Sequence, residues 1–231
     1  MKIQWLGHSA FKITGTSATL LVDPFLTGNP KFSGNRDEVL EGVTHVLLTH
    51  GHNDHFGDTI AILEQTGATL IATPELAGYA NSCTDKGHFV GMNIGGTVAQ
   101  KGFSVSMVQA FHSSSYTTAE GAVIYGGMPT GLIIAIDDHV IYHMGDTGIF
   151  ADMALINEMY QPDIGIVPIG DHFTMDSKAA ALAVNRYFDF KTVIPCHYLT
   201  FPLLTQSADT FVAAVEKAEV KTPSPMDVIE I

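Results

Sequence analysis

Short apolar runs separated by turn residues dominate the N-terminal part of the chain, and they predict a series of strands. These predicted strands are residues 2–6, 10–14, 18–22 and 43–48. After the last of them the period changes, because Phe56, Ile60 and Leu63 recur at helical spacing and predict a helix over 56–65. The residues between this strand and this helix therefore occupy a connecting loop, where functional side chains are common.

The rest of the chain divides into a strand-rich middle and an alternating C-terminal part. Further strands are predicted at 68–72, 88–92, 96–100, 103–110, 122–127, 131–136, 139–144, 164–168, 192–195 and 227–231. Helices are predicted from Pro74, with Thr73 as N-cap, and near 150–159, 176–188 and 207–218. Residues 27–37, rich in Gly, Asn, Pro and Ser, are predicted to form a loop. Periodicity alone supports an α/β or α+β fold with helices covering sheets.

Composition narrows the class of protein. Of 231 residues, 46% are apolar and 15% are charged, which is typical of a compact globular protein. The net charge of −13 disfavours a nucleic-acid partner, although bound metal ions can invert the local field. Two cysteines are too few for a disulfide framework. The N-terminus lacks the apolar region of a signal peptide, and no run is long enough to span a membrane, so we expect a soluble cytoplasmic protein.

The strongest chemical signal is the loop at residues 49–58, which reads THGHNDHFGD. It places His50, His52, Asp54 and His55 within six residues. Imidazole nitrogens and carboxylate oxygens are the ligands that Zn, Mn or Fe(II) use. The alternative is a histidine-rich surface loop, but this spacing should arise by chance in only about two of a thousand such chains. The loop therefore predicts a metal site.

The pattern resembles the metal-binding signature of the metallo-β-lactamase superfamily, and three later segments match the remaining elements of that signature. His112 follows the strand at 103–110, where the superfamily places the third ligand of its first metal. Gly145-Asp146-Thr147 resembles the superfamily's G-D-T/S element, and His197 falls at the place of the last ligand of its second metal. Taken alone, each of these is an ordinary strand-end or turn residue.

The resemblance covers essentially the full length of the chain and implies a single domain over residues 1–231. It implies an α+β fold, the four-layer αββα sandwich of two mixed β-sheets flanked by helices, with the site at one edge of the two sheets. It also implies two divalent metal ions per chain, with Zn the first choice and Mn, Fe or Ni as alternatives. Two such ions can share a water and supply hydroxide near neutral pH.

The ligand set is likewise carried over from the resemblance. The first metal would be held by His50, His52 and His112, the second by Asp54, His55 and His197, and Asp146 would bridge them.

Other segments resemble one branch of the superfamily, the uncharacterised bacterial and archaeal metal-dependent hydrolases that are similar to L-ascorbate-6-phosphate lactonases. These segments are Trp5–Phe11, Asp23–Phe25, Pro168–Met175 and Pro195–Pro202. Asp58 departs from the wider superfamily, where many members carry glycine, and this argues against direct transfer of β-lactamase or glyoxalase-type activity. The chain also lacks the long basic arm of a transfer-RNA processing endonuclease.

Additional active-site residues are predicted from these blocks. His8 and His172 follow glycine-containing turns, and we predict that they face the active site as substrate contacts or proton donors, with a structural role as the alternative. Together with Asp54, they form the predicted catalytic set. Asp23 is either a turn residue or an acceptor that orients a ligand histidine.

The sequence therefore predicts a dinuclear metal-dependent hydrolase that acts on a small ester, lactone or phosphoester. One alternative is a phosphodiesterase or nuclease on the same scaffold. Another is a non-hydrolytic di-iron redox or sensor protein, which should carry a flavin partner domain or show visible iron absorption. The expected partner is a small-molecule substrate, without nucleic acid or membrane. The sequence leaves the substrate, the native metal and the oligomeric state open, and a homo-oligomer is one option.

Overall fold

Two seven-stranded sheets and a two-stranded hairpin make up the strand content of the computed structural model, which describes residues 1–231. The strands are β1 (Lys2–Gly7), β2 (Ala10–Thr14), β3 (Thr19–Val22), β4 (His45–Leu47), β5 (Thr69–Ala72), β6 (His88–Gly91), β7 (Thr97–Gln100), β8 (Phe103–Gln109), β9 (Ser115–Thr117), β10 (Val123–Tyr125), β11 (Thr130–Ile136), β12 (His139–His143), β13 (Ile164–Pro168), β14 (Thr192–Cys196), β15 (Glu219–Val220) and β16 (Val228–Glu230). The helices are α1 (Arg36–Leu40), α2 (Asn53–Phe56), α3 (Thr59–Thr66), α4 (Pro74–Cys83), α5 (Met153–Tyr160), α6 (Ser177–Tyr187) and α7 (Asp209–Ala214).

Each large sheet is antiparallel in one half and parallel in the other. The first has the order β16-β1-β2-β3-β4-β5-β6 and becomes parallel from β3 onwards. The second has the order β15-β14-β13-β12-β11-β8-β7, and its β12 to β15 are parallel. Side chains that follow the carboxyl ends of neighbouring parallel strands collect at one edge of a sheet, which is the usual place for a ligand in such sheets.

Alternation along the central strands divides the apolar residues between two layers of the core. In β3, Leu20 and Val22 belong to the cluster that contains residues of both sheets. Leu21, between them, belongs to the cluster formed with α1, α3 and α4. Both faces of the strand are therefore covered, and this explains why the central strands are continuously apolar. The predicted class, an α+β sandwich of two mixed sheets flanked by helices, is confirmed.

Local differences from the predicted elements have identifiable causes. The sequence predicts a single helix over 56–65, but α2 ends at Phe56 and α3 begins only at Thr59. The break occurs because Gly57 adopts φ 46° and lies against the loop before α1. A Cβ atom at Gly57 would lie only 2.5 Å from the carbonyl oxygen of Pro24. The sequence does not predict helix α1, and this helix begins at Arg36, inside the segment 27–37 that is predicted as a loop. The side chain of Asn35 caps this helix by accepting a hydrogen bond from the Asp37 amide. Strands β9 and β15 are too short for a periodic signal. No helix combines the length and the apolar character that a membrane span needs.

Asp58 anchors the loop after β3. Its carboxylate accepts the amides of Leu26 and Thr27 at 2.8 and 2.7 Å and the Thr27 hydroxyl at 2.6 Å. Hydrogen bonds to a charged group contribute about 1.5–3 kcal/mol each to stability, and less where the group is partly exposed, as Asp58 is. We expect Asp58→Ala to lower the free energy of unfolding by about 1–3 kcal/mol, measured by denaturant titration. The matched control is Asp138→Ala in an exposed turn, and equal effects in the two variants would contradict this role.

Candidate metal centre

The seven residues predicted as ligands come together where the two sheets meet. Each follows, or lies in the helix directly after, the end of a strand: His50, His52, Asp54 and His55 after β4, His112 after β8, Asp146 after β12, and His197 after β14. Strands from both sheets therefore contribute to one centre, and the short loops leave each side chain little freedom to move away from it.

Three ring nitrogens form a first group of ligand atoms. Nε2 of His50 lies 3.0 Å from Nδ1 of His52, and Nε2 of His112 lies 3.2 Å from the same atom. The other nitrogen of His52 is 3.2 Å from the Ser113 hydroxyl, so Nδ1 is the atom that faces the group. Three imidazole nitrogens that converge in this way suit a single cation.

A second group lies beside the first, with Asp146 between them. It comprises His8, Asp54, His55 and His197, whose ligand atoms all lie within 4.8 Å of one another. The carboxylate of Asp146 is 3.3 Å from Nε2 of His55 and 2.9 Å from Nε2 of His197. The same carboxylate is 3.5 Å from Nε2 of His112 in the first group. Asp146 is thus a carboxylate in contact with histidines of both groups.

Several polar atoms at this centre are buried without a hydrogen-bond partner. They are Nε2 of His55, both ring nitrogens of His197 and Oδ1 of Asp146. The short contacts to Asp146 lack the direction that a hydrogen bond requires, and unpaired buried polar atoms are costly. Bound cations would satisfy Nε2 of His55, Nε2 of His197 and Oδ1 of Asp146, and these are the nitrogen and carboxylate donors that divalent transition metals take. The residues therefore fit a metal centre.

A buried carboxylate behind the centre orients two of the histidines. Asp23 accepts the Thr49 amide at 2.8 Å, the Thr49 hydroxyl at 2.6 Å and Nδ1–H of His55 at 2.8 Å. Because the Thr49 hydroxyl donates to Asp23, its oxygen is left to accept from Nδ1 of His50, at 3.0 Å. Both rings therefore keep a proton on Nδ1 and turn Nε2 towards the centre. Of the two roles that the sequence left open for Asp23, the contact is that of an orienting acceptor.

The pKa values of the buried groups at the centre shift in different directions. Burial lowers the pKa of His50 well below its usual value. Burial also opposes charge on His55, but the carboxylates of Asp146 and Asp23 outweigh it and raise that pKa well above its usual value. Burial would raise the pKa of Asp146, yet His197 and His55 hold it well below its ordinary range. A metal that binds here must displace the proton of His55, so metal affinity should rise with pH.

An open cavity of about 300 Å³ gives access to the centre. Its walls are His52, Asp54, His112, Ser113, Asp146, Phe173 and His197. None of these is a lysine or an arginine, and Phe173 supplies the one large apolar surface, with 54% of it exposed. A larger cleft of about 610 Å³ beside α1 contains none of the predicted ligands, so the chemistry belongs to the smaller cavity.

The two additional predicted histidines have different environments. His172 is exposed and does not line the cavity, but its ring packs edge-on against Phe173 at 4.5 Å between ring centres. His8 is fully buried, and its Nε2 is 3.0 Å from the carboxylate of Asp54. Burial, and next His197, lower the pKa of His8 to about 4. Sequence reasoning missed Thr49, which carries no signal apart from its place next to a ligand histidine.

Comparison with known proteins agrees with the fold and with dependence on a metal. A family model described as a beta-lactamase superfamily domain matches residues 2–197. A UPF0173 metal-dependent hydrolase of Chelativorans sp. is 51% identical over the whole of both chains, and another from Agrobacterium fabrum is 50% identical over 97% of each. Among solved structures, the metallo hydrolase Igni18 of Ignicoccus hospitalis is 33% identical, with a TM-score of 0.83 over 100% of this chain and 98% of that one.

The chain therefore belongs to the metallo-β-lactamase superfamily, among the UPF0173 metal-dependent hydrolases. The predicted superfamily and the prediction of a metal-dependent hydrolase are confirmed. The similarity to ascorbate-phosphate lactonases stays a prediction.

The role of Asp23 can be tested by removing its charge while keeping its shape. We expect Asp23→Asn to lower metal affinity about 10–100-fold, because the amide no longer enforces the ring orientation of His55 and, through Thr49, of His50. The measurement is a competition titration against a coloured chelator. The control is Asp163→Asn, since Asp163 accepts from Nδ1 of His139 at 2.9 Å outside the centre. Unchanged affinity in Asp23→Asn would remove the orienting role.

Proposed function

We propose that the protein is a single-domain, dinuclear metal-dependent hydrolase that acts on a small uncharged ester or lactone. The observation that carries the proposal is the position of Asp146, in contact with histidines of two ligand groups on the wall of an open cavity that has no cationic side chain.

Each ligand group would hold one cation. His50, His52 and His112 would hold the first, while Asp54, His55 and His197 would hold the second, and Asp146 would contact both. Bound divalent cations supply hydroxide from water near neutral pH and polarise the oxygen that gains charge in hydrolysis. Imidazole and carboxylate donors together favour Zn, with Mn, Fe or Ni as alternatives.

The protein's own side chains have supporting roles in this proposal. Asp23 and Thr49 hold the rings of His55 and His50 in position, so these rings do not have to reorient when metal ions bind. Phe173 offers an apolar wall to the substrate. His172, which is exposed and packs on Phe173, would contact only a substrate that extends beyond this wall. The Asp54 side chain is 33% exposed, which leaves its carboxylate accessible from the cavity as well as to a cation.

Charge distinguishes the candidate substrates. Phosphodiesters and nucleic acids are usually bound by arginine and lysine, which the cavity wall lacks. The chain also carries a net charge of −13 with 11 lysines and arginines in total. A phosphodiesterase is nevertheless the second candidate, because two bound cations would outweigh the charges of Asp54 and Asp146 and could attract an anion.

Metal stoichiometry tests the dinuclear part of the proposal. We expect about two divalent ions per chain after reconstitution, measured by elemental analysis. Asp146→Ala should weaken both sites and abolish hydrolysis, because it removes the one shared ligand. Asp54→Asn should retain the first ion better, since that ion keeps His50, His52 and His112. Wild-type turnover in Asp146→Ala, or a maximum of one ion in the wild type, would rule out the bridged pair.

The charge of the preferred substrate tests the proposed substrate class. We compare rate enhancements, meaning the catalysed rate divided by the uncatalysed rate. For the reconstituted protein, we expect this enhancement to be at least about tenfold greater for a p-nitrophenyl ester or a small lactone than for bis-p-nitrophenyl phosphate. We also expect no salt-dependent binding of transfer RNA or single-stranded DNA in an anisotropy titration at low salt. The reverse preference, or tight binding of either nucleic acid, would move the phosphodiesterase to first place.

A further inference from the structure

His8 belongs to the second ligand group by position, although it comes from the far N-terminal strand. It follows β1 in a left-handed backbone conformation, with φ 56°. Its ligand atom and those of Asp54, His55 and His197 all lie within 4.8 Å of one another. Donor atoms bound to one cation at about 2.0–2.2 Å are separated by about 3–4 Å, so these four side chains need only small movements to share one ion.

The Thr200 hydroxyl, behind the ring, bears on which nitrogen of His8 carries the proton. The Thr200 hydroxyl donates its single proton to the carbonyl of Tyr198, at 3.1 Å. Its oxygen is therefore left to accept from Nδ1 of His8, also at 3.1 Å. In this arrangement the proton of the neutral ring lies on Nδ1, and the lone pair of Nε2 points towards the centre. The opposite donation, from Thr200 to Nδ1, would leave the ring proton on Nε2, where it would bond to Asp54. Thr49 imposes the same arrangement on His50.

The inward nitrogen of His8 faces an atom that cannot donate to it. Its nearest polar neighbour there is Oδ2 of Asp54, at 3.0 Å, and an ionised carboxylate only accepts. Two acceptors at this distance require a cation or an additional proton between them. Asp54 is itself a proposed ligand of the second metal, so a metal ion would satisfy both atoms.

The surroundings of His8 do not suit direct contact with a substrate. Its side chain has no exposed surface, and it is absent from the cavity wall. The rings of Phe25 and Phe201 enclose it at 5.9 and 5.6 Å between ring centres, and His197 lies at 4.1 Å. A proton donor or substrate contact must reach the cavity, whereas a metal ligand needs only to reach the ion.

We propose that His8 is an additional ligand of the second metal, held in the correct tautomer by Thr200. The inference rests on the dinuclear centre proposed above and adds a residue to it. His8 would bind through Nε2 beside Asp54, His55 and His197, so the second site would take more protein ligands than the first. This assignment replaces the role in substrate contact that the sequence predicts for His8.

Metal binding by two variants provides the first test. We expect His8→Asn to weaken the second Co²⁺ ion at least about 100-fold in chelator competition, to leave the first unchanged and to alter the visible Co²⁺ absorption. Asparagine tolerates the left-handed backbone, so folding, monitored by melting temperature, should survive. Thr200→Val should weaken the same ion about 10–100-fold, because it removes only the orienting hydroxyl. The control is His139→Asn, which removes a histidine paired with Asp163 outside the centre.

A folded His8→Asn protein that binds two Co²⁺ ions with wild-type affinity and spectrum would overturn the inference. His197→Ala separates this outcome from failure of the dinuclear proposal. If His197→Ala loses the second ion while His8→Asn keeps it, the metal pair stands and His8 is not a ligand. If neither variant affects a second ion, the dinuclear centre itself is wrong.

Nitrogen NMR of the zinc-loaded protein gives a readout that does not depend on affinity. We expect His8 to show a protonated Nδ1 and an unprotonated Nε2 with a metal-bound shift, and Thr200→Val to disturb this pattern. Protonation of Nε2 in the loaded protein, in a neutral ring or in an imidazolium, would show a hydrogen bond to Asp54 in place of a bond to the metal, and this result would overturn the inference.

Discussion

The buried carboxylate of Asp23 is the constraint on which the rest of the centre depends. It has no exposed surface, and it accepts three hydrogen bonds, from the amide and hydroxyl of Thr49 and from the ring of His55. An ionised carboxylate in such a place is stable only when its acceptor sites are filled by donors. The same bonds that stabilise it orient His55 directly and His50 through Thr49. The inward-facing nitrogens are therefore a consequence of satisfying one buried charge.

The sandwich architecture supplies the partners that make this possible. Asp23 follows β3 and Thr49 follows β4, which are neighbouring parallel strands of the first sheet. Asp146 and His197 follow strands of the second sheet, so the metal centre spans the edge between the two sheets. Ligands on rigid strand ends are held in place before a cation arrives, which reduces the cost of loading the site. Apolar packing in the shared core thus determines the distances between polar groups at the edge.

Hydroxyl groups have a consistent role around the centre. Thr49 and Thr200 each donate their proton to a carboxylate or carbonyl oxygen and accept from the Nδ1 atom of a histidine. A hydroxyl with its proton already engaged has only acceptor capacity left, so it selects a single tautomer of the ring. His50 and His8 therefore present the same nitrogen, although they follow different strands of the first sheet. A valine at either threonine would keep the volume and lose this selection.

The sequence by itself determined the ligand-bearing segments and most strands and helices, because both depend on local information. The spacing of His50, His52, Asp54 and His55 and the period of the apolar residues lie within single elements. The break at Gly57 escaped that reasoning, because it depends on contact with Pro24. Only the tertiary structure placed His8 beside Asp54, His55 and His197 while His172 stays at the surface. Both follow glycine-containing turns, but the environment of His8 is set by Thr200, which is 192 positions away. Tautomer and burial are determined by partners that chain folding brings together, and residue spacing along the sequence carries no record of them.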